Sequence, residues 1–129
     1  MFTLEQIQLA QKKVKTGEDF PNFIQDLISL GIKGYATIVS EGRVTYYGEN
    51  DYMISSEKKY KELPVAHTAN KELFIEFLLS HQGGETDYFT FCQQAAVCGI
   101  AKWHIDISEM TCTYYDASDE PILIEKIPE

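Results

Sequence analysis

The chain has few cysteines, few basic residues and no long apolar run, and each shortage closes off a class of protein. Its three cysteines, Cys92, Cys98 and Cys112, are odd in number and follow no pattern. Such a set builds no disulfide framework and predicts reduced thiols in a cytoplasm. No Cys-x-x-Cys pair occurs, since five residues separate Cys92 from Cys98. Together with His104 these thiols therefore make a poor zinc set, and we expect neither metal nor cofactor. Lys and Arg total 11 against 20 Asp and Glu, a formal charge of −9. That surplus repels a phosphate backbone unless bases are concentrated. The short runs Lys12, Lys13, Lys15 and Lys58, Lys59, Lys61 stand among acids or on solvated segments, so no nucleic-acid partner is expected. No stretch approaches the ~18 apolar residues of a membrane span. The opening Met1 to Gln6 lacks the basic flank and apolar stretch of a targeting signal, and the expected compartment is the cytoplasm. Gly-x-Ser-x-Gly is missing, and Gly83-Gly84 lacks the surroundings of a phosphate loop.

What is present is a globular core. Apolar residues make up 44% of the chain, and one Trp, eight Tyr and seven Phe supply the bulk of it. The length suits a single domain, 1–129. Thr3 with Gln6 forms a capping-box pattern, and Leu4, Ile7, Ala10 and Val14 recur at helical spacing up to Gly17. Asp19, with Pro21 in the first turn, opens a second helix whose stripe is Phe23, Ile24, Leu27, Ile28 and Leu30, ended by Gly31. Strands follow at Tyr35 to Val39, Arg43 to Tyr47 and Tyr52 to Ser55. Ser56 to Glu62 is a polar loop, and Leu63-Pro64-Val65 has no assigned place. Asn70 caps a third helix carrying Leu73, Phe74, Phe77 and Leu78. Asp87 caps a fourth with Phe91, Cys92, Ala95 and Ala96, closed by Gly99. Lys102 to Ile107, Met110 to Tyr115 and Ile122 to Ile127 have strand character.

The second half repeats the first. A shift of 68 residues sets Asp19 on Asp87, Phe23 on Phe91, Gln25 on Gln93, Gly31-Ile32 on Gly99-Ile100, Ser40-Glu41 on Ser108-Glu109, and Thr45-Tyr46-Tyr47 on Thr113-Tyr114-Tyr115. Ten of thirty positions from 19 to 48 are identical without a gap, where chance gives about two. Tyr35 also falls on Trp103. This predicts an α+β fold: an internal duplication of an ααβββ unit, about 1–66 and 67–129, with helices packed on antiparallel sheet. Two such units can close around a pseudo-twofold axis a core that one cannot.

A three-residue turn, Ser40-Glu41-Gly42, pairs Val39 with Arg43, Thr37 with Thr45 and Tyr35 with Tyr47. The matching register pairs Ile107 with Thr111, Ile105 with Thr113 and Trp103 with Tyr115. Trp103, Ile105 and Ile107 then form a core face, with His104, Asp106, Cys112 and Tyr114 on a wet one. In the first unit the corresponding second face, Ala36, Ile38, Val44 and Tyr46, is dry, so it is either covered or a partner surface. Met110 stands where Gly42 does, so the second turn is expected to differ in shape.

The opening Met1-Phe2-Thr3-Leu4-Glu5-Gln6-Ile7, the runs Asp19-Phe20-Pro21, Tyr46-Tyr47-Gly48, Thr86-Asp87-Tyr88 through Phe91-Cys92, Gly99-Ile100-Ala101-Lys102-Trp103, and Met110-Thr111-Cys112-Thr113-Tyr114-Tyr115-Asp116 give the chain a resemblance. Over essentially its full length it resembles the YbcV-like family of small bacterial and prophage proteins. Members are of unknown function and often bear the label phage envelope protein. The resemblance implies a prophage-related protein and carries over no catalytic residue.

Two functional readings follow from the residues. A non-enzymatic binding or interaction module would use the apolar face (Ile38, Val44, Tyr46) or a cleft between the units lined by Tyr46, Tyr47, Tyr114 and Tyr115. Its partner would be a protein, a small flat ligand or a second copy of the chain. A small-molecule enzyme would instead use His104 and Asp106, two apart on one strand face, beside Tyr114, since a carboxylate can orient an imidazole for acid–base work. Against these stand plain structural roles: a solvated sheet face for His104 and Asp106, and one packed and one shielding ring for each Tyr pair. His67 and His81 are assigned to solvent or a helix end.

Overall fold

The computed structural model describes residues 2–15 and 19–127. The Thr3 hydroxyl accepts the Gln6 N–H while the Gln6 side chain accepts the Thr3 N–H at 2.9 Å, which starts α1 (Leu4–Gln11). This helix stops short of Val14, and Gly17 lies outside the described residues. Asp19 stands at the N-cap of α2 (Phe20–Ser29), and Gly31 ends it at φ +88°. Asn70 accepts the Leu73 N–H to begin α3 (Lys71–Gln82). Asp87 accepts the Thr90 N–H at 2.8 Å to begin α4 (Tyr88–Val97).

Three strands follow each pair of helices: β1 (Ile32–Ile38), β2 (Arg43–Gly48) and β3 (Met53–Ser55) after α2, and β4 (Ile100–Asp106), β5 (Thr111–Asp116) and β6 (Pro121–Lys126) after α4. They form one antiparallel sheet in the order β3-β2-β1-β4-β5-β6. Each half of the chain thus contributes two helices and then three strands, and the halves meet at β1 and β4. That seam is hydrogen-bonded sheet, with Ala36 opposite His104, so the halves do not face each other across a cleft there. Ile7, Ile24, Leu27, Phe74, Phe91 and Ala95 from the helices join Tyr35, Val44, Trp103 and Ile105 from the strands in a single core. The helices therefore cover one face of the sheet, and the other faces water, as antiparallel sheets allow.

The hairpin register differs from the expected one by a single residue. Ile38 pairs with Arg43, Thr37 with Val44 and Tyr35 with Tyr46. The turn holds four residues, Val39 to Gly42, because Val39 leaves the β2 ladder: its N–H bonds the Ala101 carbonyl and its side chain is fully buried. Gly42 does sit at positive φ, +69°. A one-residue slip sends every β2 side chain to the opposite face. Val44 and Tyr46 therefore point into the core, not onto a partner surface. The second hairpin behaves alike, with Ile105 opposite Cys112 and Trp103 opposite Tyr114, so Cys112 and Tyr114 are buried rather than wet. Met110 adopts φ +53°, the left-handed conformation Gly42 has, so the two turns agree at that position.

The segment between the halves, 56–69, is irregular but tethered. Leu63 donates its N–H to the Ser40 carbonyl and Ala66 to the Ala96 carbonyl, while Leu63 and Val65 pack on the core.

Candidate functional site

Alternation along the strands sets which side chains line the open face of the sheet. Three rows cross it. Ser55, Thr45, Ala36, His104, Thr113 and Ile124 form the middle row, following the ladder from β3 to β6. Met53, Tyr47, Gly34, Asp106, Thr111 and Lys126 lie on one side of it. On the other side are Arg43, Ile38, Lys102, Tyr115 and Pro121. Met53 and Ile124, at the two ends, are 62% and 64% exposed.

At the centre the two halves touch through side chains. The Tyr47 ring lies over Gly34, where a Cβ would meet its hydroxyl. That hydroxyl hydrogen-bonds His104 Nε2, and the two rings stack with centroids 5.6 Å apart and planes 10° apart. Loss of water around His104 holds its pKa below the usual imidazole value; Asp106 pulls the other way and Lys102 adds to the depression. Burial, with Asp106 and Tyr115 nearby, raises the Tyr47 pKa, so the phenol keeps its proton. A neutral imidazole with its hydrogen on Nδ1 then accepts that proton's hydrogen bond at Nε2. Asp106 does not orient the ring. Its Oδ1 accepts from the Ser108 hydroxyl and the Glu109 N–H, both at 3.1 Å, and so shapes the β4–β5 turn. Across the face, Lys102 Nζ sits 4.7 Å from the Tyr115 ring centre and pairs with Asp119 at 3.0 Å.

The candidates named from the sequence thus separate into two groups. Ile38, Tyr47, Tyr115, His104 and Asp106 share the open face. Val44, Tyr46 and Tyr114 lie in the core. The inner tyrosines keep partners for their hydroxyls: Tyr46 Oη accepts from Gln11 Nε2 at 3.1 Å, and the Tyr114 hydroxyl donates to Glu125 at 3.0 Å. Burial pushes Tyr46 up to about 12, and Tyr114 further in the same direction. Each adjacent pair therefore sends one ring inward and one outward, as strand geometry requires. Tyr114 is not beside His104 and Asp106; Tyr115 takes that side. Gly34 and Lys102 belong to the face and were not singled out, while Ala36 was named with the dry face and does lie on the open one. A glycine inside a strand marks a close approach by another group, and Gly34 carried that signal. The described residues include no group of three or more His, Cys, Asp or Glu arranged to hold a metal ion.

The depressed His104 pKa fixes a sign for pH dependence. Between the unfolded value near 6.5 and the lower folded one, the unfolded chain binds more protons. This contribution to stability is complete above that window and is lost as pH falls through it. The urea midpoint should drop from about pH 7 to about pH 5 by more in the wild type than in His104→Gln. Equal drops would show that His104 does not carry the effect.

The sequence pattern of a family described as a protein of unknown function, DUF1398, matches residues 8–126, and the chain belongs to that family. No curated protein matches it.

Proposed function

We propose that this member of a family of unknown function is a non-enzymatic interaction module, and that its contact surface is the helix-free face of the sheet centred on Tyr47, His104 and Ala36. One observation carries the reading. The middle of that face is built by both halves at once, with Tyr47 of the first locked onto His104 of the second. Around it lie Ile38 and Tyr115, with exposed Met53 and Ile124 at the rims. Such an open, half-apolar sheet face suits a protein partner better than a small ligand, which needs concavity. The matching order of elements and the 68-residue repeat support an origin by duplication. The motifs shared with the YbcV-like family support a prophage-related protein acting in a bacterial cytoplasm, with a host protein or a second copy of the chain as partner.

Ala36→Arg plants a long cation at the middle of the face, where the native side chain already points outward. A protein partner retained by the wild type should bind this variant at least about tenfold more weakly, because a charge buried without a counter-charge is costly at an interface. Val97→Arg, on the exposed side of α4, should keep the partner. If Ala36→Arg retains the same partner as strongly as Val97→Arg does, the surface is misassigned.

A second reading rests on the same Tyr47–His104 contact, which also has the form of an acid–base pair for small-molecule chemistry. Asp106 is committed to its turn, so Tyr47 would take the orienting role. Turnover of hydrolase and isomerase substrates by wild type and His104→Ala separates this reading from the first.

A further inference from the structure

A second feature lies on the helix-covered side, away from the open sheet face. Lys59, Tyr60, Asp87, Tyr88 and Phe89 line an open hollow of ≈ 580 Å³. Tyr88 and Phe89 begin α4 and are 41% and 44% exposed, an unusual pair of large rings to leave in water. Tyr60 comes from the segment between the halves and packs its ring on Phe89, with centroids 5.2 Å apart. Tyr88 stands edge-on to Trp103 at 6.4 Å.

These walls are held in place. The Lys59 N–H donates to the Glu41 carbonyl at 3.0 Å, and the Tyr60 hydroxyl donates to the Val39 carbonyl. Gly42 leaves the room the Tyr60 ring fills, since a Cβ there would fall 2.6 Å from Cε2. The rings are therefore preorganised, which lowers the entropy a ligand must overcome.

The charge in the hollow is also defined. Lys59 Nζ lies 5.4 Å from the centre of the Tyr88 ring. Among the described residues it forms no ion pair, although the chain has 20 acids. Its pKa is lowered by loss of hydration, so an external counter-charge would restore a lost interaction. Asp87 accepts the Thr90 N–H at 2.8 Å, which favours its ionised form, so the hollow carries one negative charge of its own. One ammonium with one carboxylate near it does not suit a dianion such as a phosphate monoester, which calls for several donors. The most it can accept is one negative charge, as on a carboxylate that reaches Lys59.

We propose that this hollow is a small-molecule site for an aryl carboxylate, its ring seated against Tyr60, Tyr88 and Phe89 and its carboxylate on Lys59. The hollow is open, so a ligand there is held by the aromatic rings and the ammonium rather than by enclosure, and the site is separate from the interaction surface proposed above.

Phenylacetate is the probe, followed by amide NMR on the full chain. It should shift the amides of residues 59, 60, 88 and 89 saturably, with a dissociation constant on the order of 1 mM. 2-Phenylacetamide, the same ring without the charge, should bind at least about fivefold more weakly, and so should acetate, the charge without the ring. Lys59→Gln should weaken phenylacetate by at least about fivefold and leave 2-phenylacetamide unchanged, whereas Lys58→Gln should match the wild type. The spectrum of each variant reports its fold directly. The proposal is overturned if shifts fall elsewhere or do not appear, if the amide binds as well as the acid, or if Lys59→Gln binds like the wild type.

Discussion

Gly34→Ala should destabilise the protein by about 3 kcal/mol or more and free Tyr47 from His104. Gly34 sits in β1 between Tyr47 of β2 and Asp106 of β4. A Cβ added there would overlap the Tyr47 hydroxyl and lie 2.5 Å from the Ile105 carbonyl oxygen. The first contact can be relieved by turning a ring outward. The second is against a backbone carbonyl, and relieving it means parting β1 from β4, the seam at which the halves share one sheet. Gly31→Ala is the comparison: its φ is +88° but nothing lies within 4 Å of the added carbon. It should carry only the backbone cost of a non-glycine residue there, about 1 kcal/mol. Urea unfolding of both variants measures the difference. Adding Tyr47→Ala to Gly34→Ala should restore little stability if the carbonyl contact governs. Substantial recovery in the double variant, or a Gly34→Ala chain as stable as Gly31→Ala, would refute the tight seam.

Local signals carried well from sequence to structure. Thr3 with Gln6, Asn70 and Asp87 each cap the helix they were expected to cap, because a cap is decided within four residues. The α+β class and the antiparallel strands followed from turn and period signals. The errors arose where one residue of loop length decides an entire face. Val39 has a strand-like side chain, and nothing local says that its N–H will leave β2 for Ala101. Once it does, Val44 and Tyr46 turn inward and the dry face assigned to the first hairpin disappears. The wet face assigned to the second kept His104 and Asp106 but lost Cys112 and Tyr114 to the core by the same slip. Cys112 is a small apolar residue when buried, and the Tyr114 hydroxyl reaches Glu125 on the neighbouring strand β6, so neither needs water. That Tyr46-Tyr47 and Tyr114-Tyr115 each divide between core and surface was legible; which ring goes in was not. The Tyr47–His104 contact depends on β1 pairing with β4, a contact between residues 57 positions apart. The aromatic hollow was hidden too, because Lys59 and Tyr60 belong to a segment whose polar composition marks it as loop.

The second large effect lies in the core. Phe74 should be the aromatic residue whose loss is felt across both layers, with Phe74→Ala costing about 3–5 kcal/mol. Its side chain is 0% exposed, on α3. Its ring meets Phe91 of α4 at 5.8 Å and Tyr114 of β5 at 5.0 Å. Phe91 in turn meets Trp103 at 5.5 Å and stacks on His81 at 4.5 Å. Truncation therefore removes the ring that joins helix to helix and both to the sheet, and the rings around the void are too large to close it by small shifts. The melting midpoint should fall by about 10–20 °C. Phe74→Leu keeps most of the volume and should lose about 1–2 kcal/mol. Because Trp103 is the chain's one tryptophan, its fluorescence reports the change from inside the affected cluster. If Phe74→Ala and Phe74→Leu unfold at the same urea concentration, the void is absorbed by rearrangement, and Phe74 does not hold the two layers together.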